Sequence, residues 1–225
     1  IDAYPDLIVL DFEGSMGLST LYRFNVNVLS KQLIDDDKLL GGNVTLSWCL
    51  GHLKYALSGM IQDWQINDDN ISLKNYYSYS FTIVPLVSQL LHNKRIVTYL
   101  NQTLPAIISQ ILNQGPIPFR LDLQKNYPEK NFVFQYQEAD WHFISRWLER
   151  LGLFYYFEHD GTTETLVITD SNNALHPDPI LKNLNYQNYS QNPPLPTESR
   201  LWQFALKKKR APKNLTVVAY DHNKA

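Results

Sequence analysis

The sequence predicts a mainly β protein, a strand-rich α+β chain whose strands form an antiparallel barrel or sandwich with a few packed helices. Fourteen Tyr and ten Phe favour pleated, half-buried surfaces over helices. Short alternating or apolar runs recur between acidic or Gly-bearing turns at 35–42 and 67–70, the spacing of successive antiparallel strands. Two segments carry helical spacing instead, each with its own start and stop signals. At 225 residues with 44% hydrophobic content, two cores are affordable.

Leu7–Phe12, Tyr22–Leu29, Val44–Leu50, Tyr55–Ile66 and Tyr76–Leu86 read as five strands. Thr103 then precedes Leu104-Pro105, and Ile107, Ile108, Ile111 and Leu112 supply one helical face that ends near Gly115. Ala106 stands where a capping box would place Glu, so only half of that box is present. Gly115-Pro116-Ile117-Pro118 breaks the chain before a strand at Phe119–Leu123, and Asn126-Tyr127-Pro128 makes a turn. These boundaries predict a first unit over 1–93, a connecting helix and strand over 94–127, and a second unit over 128–225, with strand exchange between the units allowed.

Residues 132–170 are the densest in signal. Phe132, Phe134 and Tyr136 alternate with Val133, Gln135 and Gln137, a strand with at least one buried face. Asp140 is placed to cap a helix and Gly152 to end it in the left-handed conformation. Between them Phe143, Ile144, Trp147, Leu148 and Leu151 share one face, and Arg146, Glu149 and Arg150 the other. Leu153–Phe157, an Asp160-Gly161 two-residue hairpin signal and Thr165–Thr169 complete the segment. From Asn172 to Thr197 the composition turns to Asn, Pro, Gln and Tyr and reads as a connection without elements; Trp202–Lys209 and Leu215–Tyr220 pair around Ala211-Pro212.

A net charge of −2 gives no global field to attract nucleic acid or an anionic membrane. Cys49 is the sole cysteine, so no intrachain disulfide forms, and the residue reads as a small buried hydrophobe. No apolar run reaches the roughly 18–20 residues that span a bilayer, and the reading expects no charged-then-apolar leader. Because residue 1 is Ile, the reading expects a piece of a longer frame.

Glu158, His159, Asp160 and Asp170 are the only acid-base grouping, and adjacent strand residues point to opposite faces. The six histidines lack metal-ligand spacing, and neither a G-x-S-x-G elbow nor a phosphate loop occurs. The reading therefore expects no catalytic, metal or cofactor-binding residue and no cofactor. Lys207-Lys208-Lys209-Arg210 is the strongest charge run; it reads as a solvated turn, as a subunit contact to an acidic turn such as Asp35-Asp36-Asp37, or as a phosphate contact. Trp147 falls in the helix stripe, and Trp141 and Trp202 are left open between core and sugar-stacking roles.

The order of Gln135, Tyr136, Asp140, Phe143, Arg146, Leu148, Gly152, Tyr155, Phe157, Gly161 and Asp170, with Glu138, Ser145, Glu149, Glu158, His159, Leu166, Val167 and Ser171 between and after them, resembles the VgrG proteins, the type VI secretion spike. Tyr79–Leu86, Phe12-Glu13-Gly14, Ala211-Pro212 and Tyr220-Asp221 extend the likeness over nearly the whole chain. The resemblance implies the phage-tail-hub-like portion of that family: two similar β-barrels, with the 132–170 helix stripe and aromatic strand as buried frame of the second. It implies a non-enzymatic homotrimeric adaptor between a hexameric tube and the puncturing spike. It further implies assembly in the bacterial cytoplasm, release by the machine without a signal peptide, and effectors carried through carboxy-terminal parts beyond this chain. A prophage tail hub is the alternative, followed by a cell-wall hydrolase and a carbohydrate-binding module.

Overall fold

The computed structural model describes residues 7–34, 39–50, 53–67 and 76–175, together with 185–186, 200–201 and 216. Strands β1 (Ile8–Gly17), β2 (Thr20–Ser30), β3 (Asn43–Leu50), β4 (Leu53–Asn67) and β5 (Tyr77–Val84) form one curled, half-barrel sheet in the order β1-β2-β5-β4-β3, antiparallel throughout. Side-chain alternation decides which way each strand faces. Tyr22, Phe24, Val26 and Val28 of β2 meet Leu57 and Ile61 of β4 and Tyr79, Phe81 and Ile83 of β5 in one core. The intervening residues carry a polar lattice on the outer face. Asn67 Nδ2 donates to Ser80 Oγ at 2.8 Å, Ser80 Oγ to Asn27 Oδ1 at 2.6 Å, and Thr82 Oγ1 to Asp63 Oδ1 at 2.6 Å. The five expected strands are thus all present, extended by one to five residues at several ends. Cys49 corrects the reading: Val44 and Leu46 are buried, and the opposite parity turns Cys49 outward, where it is exposed.

A 3-10 turn over Leu86–Leu91 leads from β5 into β6 (Lys94–Gln102), α1 (Leu104–Leu112), β7 (Phe119–Asp122), β8 (Lys130–Ala139), α2 (Asp140–Leu151), β9 (Phe154–His159) and β10 (Glu164–Thr169). Strands β7, β10 and β9 form a three-stranded sheet in that order, antiparallel between β9 and β10 but parallel between β7 and β10. Strands β6 and β8 form an antiparallel ribbon. The second core gathers Ile107, Ile108 and Ile111 of α1, Phe143, Ile144 and Leu148 of α2, and Leu166 and Ile168 of β10. Thr103 caps α1 by accepting from the Ala106 amide at 3.3 Å, as its position implies.

Strand β6 lies inside the segment read as a connection. Its residues alternate apolar on both faces, and its hydrogen-bond partner, β8, lies about thirty residues downstream, so the strand depends on a non-local ladder.

Four further expectations are corrected. Asp140 is not the cap of α2: Ala139 occupies that position without a side-chain bond, and the Asp140 carboxylate turns to the ribbon. The aromatic residues of β8 face outward, because Val133 and Gln135 take the buried parity while Phe132, Phe134 and Tyr136 remain exposed. The 160–163 loop has four residues, since Glu164 pairs with His159; Asp160 organises it by accepting from the Thr162 and Thr163 amides at 2.9 and 2.7 Å. The stretch after 171 carries a 3-10 turn, Asn172–Ala174, and β11 (Asn185–Tyr186), which pairs in parallel with β12 (Arg200–Leu201).

The chain divides into two compact units, Ile1–Pro177 and Asp178–Ala225. The expected hairpin at 202–220 apart from Thr216, the run Lys207–Arg210, Trp202 and the Asp35–Asp37 turn lie outside the described residues.

Candidate functional site

The five-stranded sheet meets the three-stranded sheet through a small polar knot in otherwise apolar surroundings. Tyr22 projects inward from β2, and Glu164 opens β10 at the parity shared by the buried Leu166 and Ile168. Glu164 is 1% exposed. The Tyr22 hydroxyl donates to the Ser58 carbonyl at 2.6 Å and also lies against Glu164 Oε2, while the Leu86 amide donates to Glu164 Oε1 at 2.7 Å. A phenol has one proton and faces two acceptors here, so a protonated Glu164 supplies the second hydrogen. Burial acts in the same direction, raising Glu164 to about 7 and pushing Tyr22 far above the usual phenol range.

His159 closes the knot. Its Nδ1 accepts from the Ser58 amide at 3.2 Å, which fixes the neutral tautomer protonated at Nε2, and burial lowers its pKa. Phe157 and His159 meet the Tyr22 ring edge-on at 5.1 and 5.5 Å. Space permits only glycine beside it: a Cβ on Gly59 would sit 2.5 Å from Tyr22 Oη and 2.6 Å from the Val84 carbonyl. The knot therefore ties β2 and β4 to β9, β10 and the Leu86 turn. A carboxyl so deeply buried has no open route to a substrate, and its chemistry is that of a staple.

The residues singled out by sequence are dispersed around this junction. Gln135 is fully buried and donates to Asp140 Oδ1 at 2.8 Å and to the Glu138 carbonyl at 3.1 Å. Arg95 completes that group by donating from Nε to Asp140 Oδ1 at 2.8 Å, with its guanidinium 2.7 Å from Oδ2. Tyr99, whose hydroxyl faces both Gln135 and this pair, is raised by burial, with the Arg95 charge opposing. Phe143, Leu148 and Tyr155 are core residues. Arg146 pairs with Glu138 at 2.5 Å on the surface, and Tyr136 is exposed. Gly152 ends α2 at φ 68° and Gly161 lies in the loop at φ 97°, both left-handed. Trp141 is settled as core, edge-on to Tyr155 at 5.1 Å.

The acid-base grouping is divided. Glu158 forms a two-pronged pair with Arg120 at 2.8 and 2.9 Å, His159 faces Ser58, and Asp160 is engaged by its loop. Asp170 accepts from the Gln124 and Lys125 amides at 2.8 and 2.9 Å and from the Tyr127 hydroxyl at 2.9 Å. Burial would raise its pKa, but these donors hold it below the ordinary carboxylate range. Among the described residues no group of three or more His, Cys, Asp or Glu could hold a metal ion, and no helix is long and apolar enough to cross a membrane. Glu164 and Tyr22 were missed in the sequence; a carboxylate at the inward parity of a strand was the available signal.

Residues 16–225 match the family model of the phage tail baseplate hub (GPD). The chain belongs to this family. The relatives that the hub chain matches include the Pseudomonas aeruginosa type VI secretion system spike protein VgrG4b, 30% identical over 171 residues, which cover 73% of this chain and 20% of the relative. A Vibrio cholerae actin cross-linking toxin, VgrG1, is 34% identical over 107 residues, 45% of this chain and 10% of the toxin. Among solved structures, an E. coli type VI secretion component described as similar to the T4 tail proteins gp27 and gp5 superposes with a TM-score of 0.69 at 26% identity, covering 76% of the hub chain and 48% of that structure. The hub chain spans about a fifth of the first of these relatives. The strand-rich hub fold and the VgrG resemblance expected from residues 132–170 are both observed.

Proposed function

We propose that this chain is the hub portion of a VgrG-like spike, in which three copies join a hexameric tube to a puncturing element of the longer protein. The match to the tail hub family over 16–225 carries this reading. Segments 1–93 and 128–225 act as two hub barrels, and 94–127 contributes β6 and β7 to the ribbon and to the three-stranded sheet. The role is mechanical: sheets tied by ladders and by the Tyr22–Glu164 knot pass axial thrust from tube to spike. No step in that role needs a catalyst, and Glu158 and Asp170 serve as ion-pair and turn-binding groups. The protein assembles in the bacterial cytoplasm and leaves with the machine, and effectors travel on parts outside this chain.

Light scattering on the longer protein with its spike intact tests the reading. A trimer is expected, and a monomer overturns it. A prophage tail hub is the second reading, favoured by the family's own description as a phage tail component. Sheath, tube and ATPase genes beside this one support secretion; capsid and terminase genes support the phage reading.

A further inference from the structure

The outward face of the β6–β8 ribbon carries a cluster of five large apolar side chains around Thr98. Ile96 pairs with Tyr136, Thr98 with Phe134 and Leu100 with Phe132, and the three aromatic rings follow one another at 6.0 and 5.6 Å. The five large side chains are 40–61% exposed. A bulge at Gln137, which adopts φ 48°, bounds the ladder at one end, and Asn101, at φ 50°, follows Leu100 at the other. No charged residue interrupts the three rungs. The opposite face is committed, since Val133 and Tyr99 belong to the core around α1 and α2. Among the described residues the ribbon has no third strand, and a two-stranded ribbon that is apolar on both faces needs a cover to be stable in water.

Roughly 400–600 Å² of apolar surface is presented here, at about 150–250 Å² per whole aromatic side chain. That is the upper end of what a monomer shows and over half of the roughly 800 Å² each partner contributes to a stable interface. A second apolar strip follows an edge of the same chain: Ile8, Val9 and Leu10, successive residues on both faces at one end of β1, and Met16 with Leu18 of the next turn at the other are 45–57% exposed, and β1 pairs only with β2. Ten of the fourteen exposed large hydrophobic residues among those described fall in these two strips. Two unlike apolar strips on one chain suit a head-to-tail contact between copies, the kind that closes a ring.

We infer that the outward face of β6–β8 is a subunit interface, covered by the β1 strip of a second copy of this chain. The inference rests on the hub reading for its ring, and on the ladder itself for its location. Thr98, exposed at the centre of the ladder, is the reporter site: Thr98→Cys in a Cys49→Ser background is labelled with an environment-sensitive fluorophore on the 225-residue chain. From micromolar to millimolar concentration the label becomes shielded from a soluble quencher as sedimentation shows association. Phe134→Asp weakens that association at least tenfold with an unchanged circular dichroism spectrum, and Leu10→Asp, on the opposing strip, does the same.

Three results overturn the inference. The label stays open at every concentration; it is shielded even in the dilute monomer, placing the chain's own residues over the ladder; or folded Phe134→Asp associates like the parent. Should Phe134→Asp misfold, Leu10→Asp and the label still decide. A trimeric longer protein whose residue 98 stays open defeats this inference alone, whereas a monomeric longer protein defeats the hub reading.

Discussion

Tyr22 and Glu164 stand 142 residues apart in the chain and share one hydrogen between phenol and carboxyl in the interior, joining β2 of the first sheet to β10 of the second. Because the phenol also serves the Ser58 carbonyl, the pair is fully satisfied only when the carboxyl keeps its proton.

That condition sets a pH dependence. The folded pKa of Glu164, about 7, lies above its ordinary value of 4.5. Below pH 4.5 both folded and unfolded carboxyls are protonated, and the group makes no difference. Between 4.5 and 7 the unfolded state releases its proton first, so stability falls as pH rises, reaching at most roughly 3 kcal/mol above pH 7. His159, with its lowered pKa, acts oppositely and loses stability as pH falls below its ordinary value. Glu164→Gln mimics the protonated acid and removes only the first effect. Urea unfolding from pH 5 to 8 should show the parent losing stability relative to Glu164→Gln; parallel curves would sink the protonated staple.

Tyr22→Phe keeps the ring contacts with Phe157 and His159 but strips the hydroxyl from two buried partners, the Ser58 carbonyl and the Glu164 carboxyl. The expected loss is about 1–3 kcal/mol, and it is smaller in a Glu164→Met background, where the carboxyl partner is gone, than in the parent. A double-mutant cycle by thermal unfolding reads the coupling, and strict additivity would contradict a shared hydrogen bond.

Gly59 and Gly152 separate two reasons for glycine. Gly59→Ala forces a Cβ to within 2.5–2.6 Å of Tyr22 Oη and the Val84 carbonyl, an overpacking of about 1–3 kcal/mol or more. Gly152→Ala meets nothing within 4 Å and bears only the left-handed backbone cost of about 1–2 kcal/mol. Chemical denaturation should rank Gly59→Ala the worse; the reverse order would place the staple elsewhere.

Asp140→Ser tests the revised role of that residue. Serine is a competent helix cap, so a capping Asp140 would tolerate it. The structure instead assigns the carboxylate to Arg95 and Gln135, and Asp140→Ser should lose about as much as Asp140→Ala, on the order of 2 kcal/mol once the partial exposure of Arg95 is allowed for. Equal melting temperatures for the parent and Asp140→Ser would restore the cap.

Features of this chain that depend on local pattern are legible in its residues. Period-two runs placed the strands of the first sheet, Thr103 started α1, Gly152 ended α2, and the ordered motif from Gln135 to Asp170 carried family membership. Tertiary structure decided what depends on partners distant in the chain. Strand β6 needed β8 to exist as a strand, and Asp140 was drawn from its expected cap by Arg95, 45 residues away. The outward turn of Phe132, Phe134 and Tyr136 was decided by which parity of β8 met α2, a choice that alternation alone leaves symmetric. Glu164 reads as one more polar residue beside a loop until Tyr22 arrives from the other sheet. Its protonated state follows from burial and from the count of hydrogens available to two acceptors, and both are properties of the folded chain.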